Sequence, residues 1–170
     1  MQIKKRHPWI VLASILIFFI TFIIHYTDAI DISIKNASPM LMLPLLTAFS
    51  MFSQPVPAAA AGLITGILTD SAAAGTLCFN SVAMMLFAAF TAAMSNNLFN
   101  RNIRSALLLS VLTSLVYFLL RWLFFYAFIT NIEDNITYLL SYAFPSIIYT
   151  NIFIFPYYFI FRYFYRRVNA

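Results

Sequence analysis

Six apolar stretches, joined by short polar connections, dominate the pattern of hydrophobic and polar positions along the chain. They cover residues 8–26, 39–53, 56–70, 76–95, 105–129 and 138–163. A helix needs roughly 20 apolar residues to cross a hydrocarbon core about 30 Å thick, which leaves the second and third stretches short. We predict an all-α integral membrane protein, a bundle of six transmembrane segments. The short pair, 39–53 and 56–70, is predicted to form two spans or one re-entrant hairpin, with the turn at Pro55-Val56-Pro57.

The composition of the chain excludes a soluble globular domain. Of its 170 residues, 63% are hydrophobic and 9% are charged, whereas soluble domains carry about 25% charged residues. The connections are too short for a folded domain outside the membrane, so residues 1–170 are predicted to form a single polytopic membrane domain. The first apolar stretch lacks a small-residue cleavage pattern after it, which predicts a retained signal-anchor helix. Cys78 is the only cysteine, so no internal disulfide is expected.

Charged residues sort to opposite sides of the predicted bundle. If the N-terminus is cytoplasmic, most of the ten basic residues fall on the cytoplasmic side, as the positive-inside rule requires: Lys4, Lys5, Arg6, Arg101, Arg104, Arg162, Arg166 and Arg167. All five acidic residues fall on the outside or at the outer surface: Asp28, Asp31, Asp70, Glu133 and Asp134. This predicts a multi-pass protein of the plasma membrane with both termini in the cytoplasm. The basic clusters flank apolar stretches, which indicates contact with the lipid bilayer and not with nucleic acid.

Small residues recur at every fourth position in the third stretch. Ala58, Gly62 and Gly66 lead to Asp70, and Gly75 follows shortly after. Residues four apart lie on one helix face, and small side chains allow another helix to approach closely. The pattern predicts either a face for packing within the bundle or a face for a partner protein.

Two charged residues and two amides stand out within the apolar stretches. A carboxylate at the membrane centre costs about 2.5–3.5 kcal/mol, so Asp70 needs a partner or a place near the surface. Arg121 is the candidate for an intramembrane ion pair with Asp70; alternatively, Asp70 meets water and Arg121 extends to the headgroups. The polar membrane positions Asn80 and Asn151 are expected to join helices by hydrogen bonds or to line a small polar pocket.

No pattern of catalytic or metal-binding residues is evident. The two histidines, His7 and His25, do not have the spacing of zinc ligands, and no nucleophile elbow is present. We therefore predict a protein that is not an enzyme and that needs no cofactor.

The sequence resembles the MreD family of rod shape-determining proteins at the stretch 39–45, followed by 62–70 and Gly75. The resemblance implies a non-enzymatic membrane scaffold of the bacterial cell-elongation machinery. Its implied partners are an MreC-like bitopic membrane protein, MreB, RodA and a class B penicillin-binding protein that acts in peptidoglycan synthesis. It also implies a fold similar to the substrate-binding subunits of energy-coupling-factor transporters. A substrate-binding membrane subunit of a vitamin transporter is therefore the alternative function.

Overall fold

The computed structural model describes residues 8–27, 39–73, 78–125 and 144–169, and all of its regular structure there is helical. The helices are α1 (Pro8–Tyr26), α2 (Met42–Met51), α3 (Pro55–Ala72), α4 (Phe79–Asn97), α5 (Ile103–Phe125), α6 (Phe144–Ile152) and α7 (Ile154–Asn169). Four apolar segments are long enough to cross a membrane: α1, α4, α5, and α6 together with α7. The prediction of an all-helical membrane protein is confirmed, and six helical segments fit the described residues. The re-entrant hairpin and the similarity to transporter subunits stay predictions.

The shortest apolar helix, α2, lies at the centre of the bundle. Its ten residues span only about 15 Å at 1.5 Å per residue, yet nearly all of them are buried. Helices α1, α3, α4, α5, α6 and α7 all contact it. The backbone N–H of Met40, just before α2, donates a 3.0 Å hydrogen bond to Thr150 Oγ1 on α6. A helix surrounded in this way need not be long enough to match the bilayer, because its neighbours and not lipid cover it.

Prolines mark the starts of helices instead of kinks in their middles. They stand within the first three positions of α2, α3, α6 and α7, where backbone N–H groups have no partner within the helix: Pro44, Pro55, Pro57, Pro145 and Pro156. The prediction of a turn at Pro55-Val56-Pro57 is therefore wrong, because α3 begins at Pro55 and the turn occupies residues 52–54. The break between α6 and α7 follows from Pro156, which cannot donate a hydrogen bond to the carbonyl of Ile152.

Helix α1 lies at the edge of the bundle. Only 6% of the residues in Trp9–Tyr26 are buried, and the contacts of α1 with the bundle include aromatic and polar side chains. The ring of Phe18 packs edge-on against Phe49 of α2 at 5.5 Å. The hydroxyls of Thr21 and Tyr157 lie 3.3 Å apart and join α1 to α7. The remaining apolar surface of α1 faces outward, toward lipid or another protein.

Polar and aromatic contacts between helices mark the two ends of the bundle. At the end that we call the Asp70 end, the hydroxyl of Tyr26 on α1 donates a 3.4 Å hydrogen bond to the carbonyl of Thr69. Two phenylalanine rings at the end of α5 pack against Phe79 at the start of α4. At the opposite end, which we call the Arg101 end, Tyr158 of α7 donates a 2.9 Å hydrogen bond to the carbonyl of Arg101.

Candidate functional site

The small-residue stripe of α3 faces α4 at very short range. A Cβ atom added at Gly62 would lie 2.4 Å from the carbonyl oxygen of Met84 and 2.9 Å from the Cβ of Ala88. One added at Gly66 would lie 2.4 Å from the Cα of Ser81. Ala58, further along the same face, is fully buried. The two backbones therefore approach more closely than any side chain larger than hydrogen allows at these positions.

Asp70, at the end of the stripe, caps the first turn of α4. Its Oδ1 accepts a 3.2 Å hydrogen bond from the backbone N–H of Asn80, and its Oδ2 accepts one of 2.8 Å from the N–H of Ser81. The Ser81 hydroxyl also donates to Oδ2. The first N–H groups of a helix lack partners within it and carry a partial positive charge, so a carboxylate is well placed there. The residue before α4, Cys78, makes no side-chain cap bond, and Asp70 supplies the cap from another helix.

A buried hydrogen bond continues from the capped turn to α5. The hydroxyl of Tyr117 donates to Oδ1 of Asn80 over 2.7 Å, and both residues are almost fully buried. The guanidinium of Arg121, one turn further along α5, lies close to the same tyrosine hydroxyl. Asn80 thus receives a bond from α5 through its side chain while its backbone donates to Asp70.

The two charged side chains that were predicted to pair, Asp70 and Arg121, lie near the same two tyrosines. Both Asp70 and Arg121 lie within electrostatic range of Tyr26 and Tyr117, and Arg121 also acts on His25. These side chains come from α1, α3 and α5 and meet at the Asp70 end. Direct pairing of Asp70 with Arg121 stays a prediction.

The predicted site residues fall into three groups. Gly62, Gly66, Asp70 and Asn80 meet at the α3–α4 contact, where Arg121 approaches through α5. Asn151 lies apart, on α6, where its amide donates a 2.7 Å hydrogen bond to the carbonyl of Ile147 within the same helix. Its Oδ1 is buried and has no hydrogen-bond partner among the described residues. Gly75 lies outside the described residues.

Three residues that form hydrogen bonds at the Asp70 end were not predicted from the sequence: Ser81, Tyr117 and Tyr26. Tyr117 stands four residues before Arg121, on the same helix face, and that spacing was a usable signal. Ser81 gave none, because eleven residues separate it from Asp70 and only the packing of α4 on α3 brings the two together.

The described part of the chain holds no group of three His, Cys, Asp or Glu side chains that could bind a metal ion. Its polar side chains at the Asp70 end instead join α1, α3, α4 and α5 by hydrogen bonds between neighbouring helices.

Comparison with known proteins assigns the chain to a family. The model of the family described as rod shape-determining protein MreD matches residues 4–168. The chain belongs to the MreD family. No curated protein and no solved structure matches it. The match extends the resemblance at 39–45 and 62–70 to almost the whole chain, including the aromatic last segment.

Membership of the MreD family implies a role in determining rod shape, in a protein with several membrane-spanning helices. The family is a shape-determining one and is not known for enzymatic activity. The alternative of a vitamin-transporter subunit has no support.

The bond between Tyr117 and Asn80 gives a testable prediction. Changing Tyr117→Phe removes the donor and leaves the buried Asn80 oxygen with one bond fewer, so we expect the free energy of unfolding to fall by about 1 kcal/mol. Tyr163→Phe is the matched control, because the Tyr163 side chain is 51% exposed and its ring stays in place under Arg167. Thermal melting of the purified protein in detergent compares the two. Equal melting temperatures for both variants would show that the Tyr117 bond contributes nothing.

Proposed function

We propose that the chain is a non-enzymatic membrane scaffold of the bacterial cell-elongation machinery. It regulates cell shape by binding an MreC-like bitopic membrane protein and, with it, MreB, RodA and a class B penicillin-binding protein that organise peptidoglycan synthesis. The match to the MreD family over residues 4–168 carries this proposal. A protein that works by binding needs outward-facing surfaces for its partners, and the large apolar side chains exposed on the described helices are consistent with that.

The proposed orientation places the Arg101 end in the cytoplasm and the Asp70 end outside. Several arginines lie at the Arg101 end, on the α4–α5 connection and on the last turns of α7. The cytoplasmic ends of membrane helices carry such an excess of Lys and Arg. Both termini are then cytoplasmic, and the membrane is the bacterial plasma membrane.

The contacts of the small-residue stripe favour packing within the bundle as its role. A partner that docked on Gly62 and Gly66 would have to displace α4, which already lies against them. The partner surface is then an outward-facing helix face. Apolar side chains extend outward from several helices, among them Ile15 of α1, Ile64 of α3 and Leu108 of α5, each about 60% exposed.

Recovery of partners from native membranes tests the scaffold role. The tagged chain is purified in mild detergent and the bound proteins are identified by mass spectrometry. The proposal predicts enrichment of cell-elongation proteins over a tagged, unrelated membrane protein of similar size. Enrichment of transporter ATPases without any elongation protein would contradict it.

Photo-crosslinking then locates the partner surface. A photoreactive residue is placed singly at Ile15, Ile64, Leu108 and Phe159, which face outward from α1, α3, α5 and α7. A bitopic partner has one membrane helix, so we expect crosslinks at one or two neighbouring positions and none at the others. Crosslinks to elongation proteins at none of the four positions would contradict binding through these faces.

A further inference from the structure

Arginines at the Arg101 end lie over tyrosine rings. The guanidinium carbons and ring centroids are 4.6 Å apart for Arg101 and Tyr165, 5.7 Å for Arg162 and Tyr158, and 5.3 Å for Arg167 and Tyr163. A cation within about 6 Å of a ring centroid is attracted to the face of the ring. Each ring therefore favours the arginine orientation that the structure shows.

Two of these pairs come together around one buried tyrosine. The ring of Tyr158 lies under Arg162, and its hydroxyl donates to the backbone carbonyl of Arg101. Phe52, just after α2, packs against Tyr158 at 5.6 Å and against Tyr165 at 5.4 Å. We call these five residues the arginine–tyrosine cluster. It joins α2, the α4–α5 connection and α7, so its two guanidinium groups are positioned by three separate parts of the chain.

The positive charge of the cluster meets no carboxylate in the described part of the chain. The sole acidic residue described there, Asp70, lies at the opposite end of the bundle. The other four acidic residues of the sequence lie outside the described residues. Arg101 donates one N–H to Oδ1 of Asn96, and a guanidinium carries five N–H donors.

We propose that Arg101 and Arg162 bind the headgroup phosphate of an anionic phospholipid at the Arg101 end of the bundle. Guanidinium groups bind phosphate oxygens through paired N–H donors. Basic groups between membrane helices at the bilayer surface select anionic headgroups. Exposed apolar side chains lie beside the cluster on α7, including Phe159 and Tyr163, and offer a surface for the acyl chains. This combination of charge and apolar surface fits a lipid better than a soluble phosphate.

The probe is phosphatidylglycerol, compared with phosphatidylcholine that carries the same acyl chains. The full chain is purified in detergent, mixed with each lipid, and the number of lipids bound is counted by native mass spectrometry. We expect the wild-type chain to retain phosphatidylglycerol in preference. The double variant Arg101→Gln, Arg162→Gln should reduce that preference by about tenfold for each arginine removed, because each loses charge-assisted hydrogen bonds to the phosphate. Equal retention of the two lipids by the wild-type chain would overturn the proposal.

The matched control is the double variant Arg104→Gln, Arg166→Gln, which removes the same charge from exposed arginines at the same end. It should keep the preference; equal losses in both double variants would show unspecific attraction and overturn the site. Excess inorganic phosphate should leave the lipid bound, and complete displacement would assign the site to soluble phosphate instead. If the glutamine pair fails to fold, Arg101→Lys, Arg162→Lys replaces it. That pair keeps the charge, loses the planar donor arrangement, and should weaken the preference.

Discussion

Replacing Gly66 with leucine (Gly66→Leu) is expected to prevent formation of the folded bundle. Even a single methyl group at this position would lie 2.4 Å from Ser81 Cα and 2.6 Å from the Asn80 carbonyl oxygen. These are backbone atoms and cannot turn away, so α3 and α4 would have to separate. Overpacking a well-packed contact costs typically 1–3 kcal/mol and sometimes more. We expect about 3 kcal/mol or more here, because separation would also break the cap at Asp70.

The matched control for this variant is Ala60→Leu. Ala60 lies on the exposed face of the same helix, so leucine there should leave the bundle intact. Size-exclusion chromatography of the detergent extract gives the readout. The wild-type chain and Ala60→Leu should elute as one sharp peak, and Gly66→Leu should aggregate or be degraded. A sharp peak and an unchanged melting temperature for Gly66→Leu would contradict the close packing of α3 on α4.

The cap at Asp70 gives the second large effect. Changing Asp70→Ala removes three hydrogen bonds to α4 and leaves the first turn of that helix without its acceptor. Hydrogen bonds to charged groups contribute about 1.5–3 kcal/mol each, and loss of a helix cap costs about 1 kcal/mol. The contributions overlap, so we expect the free energy of unfolding to fall by about 3 kcal/mol. Asp70→Asn keeps one acceptor oxygen and should lose about half as much.

Ser71→Ala serves as the control for the cap. The Ser71 side chain is exposed and donates only within α3, to the carbonyl of Ile67, so its loss should change stability by a few tenths of a kcal/mol. Unfolding is followed in bicelles, where the free energy of the membrane-embedded state can be measured. A double-mutant cycle with Ser81→Ala then isolates the side-chain bond. Additive effects of the two substitutions would contradict a direct contact between Asp70 and Ser81.

The sequence was most informative about the outer helices. The stretch predicted at 8–26 coincides with α1 (Pro8–Tyr26), because lipid on most sides demands an unbroken apolar run. It was least informative about the short helices. Helix α2 ends at Met51 and α3 begins at Pro55, and the proline pair that suggested a turn lies in the first turn of α3. Proline is compatible both with a turn and with the first turn of a helix, so the residue type does not distinguish the two. The burial of α2 depends on the positions of all its neighbours, which the sequence pattern does not give.

The candidate site, too, could be predicted from the sequence only in part. The spacing of Gly62, Gly66 and Asp70 placed them on one face, since that requires only the helical period. The spacing did not reveal which residues pack against that face. The described acceptor bonds of Asp70 come from the first turn of α4, and two of their three donors are backbone N–H groups. A backbone group has no residue-type signature, so no reading of side chains could have found it.

The shape of cells depleted of this chain tests the central claim most directly. Expression is placed under external control in the organism that encodes the chain, and cell length and width are measured as the protein declines. A shape-determining scaffold of the MreD family predicts that cells widen and lose their elongated form, and that re-expression of the wild-type chain restores it. Cells that keep their dimensions over several generations without detectable protein would contradict the proposed function.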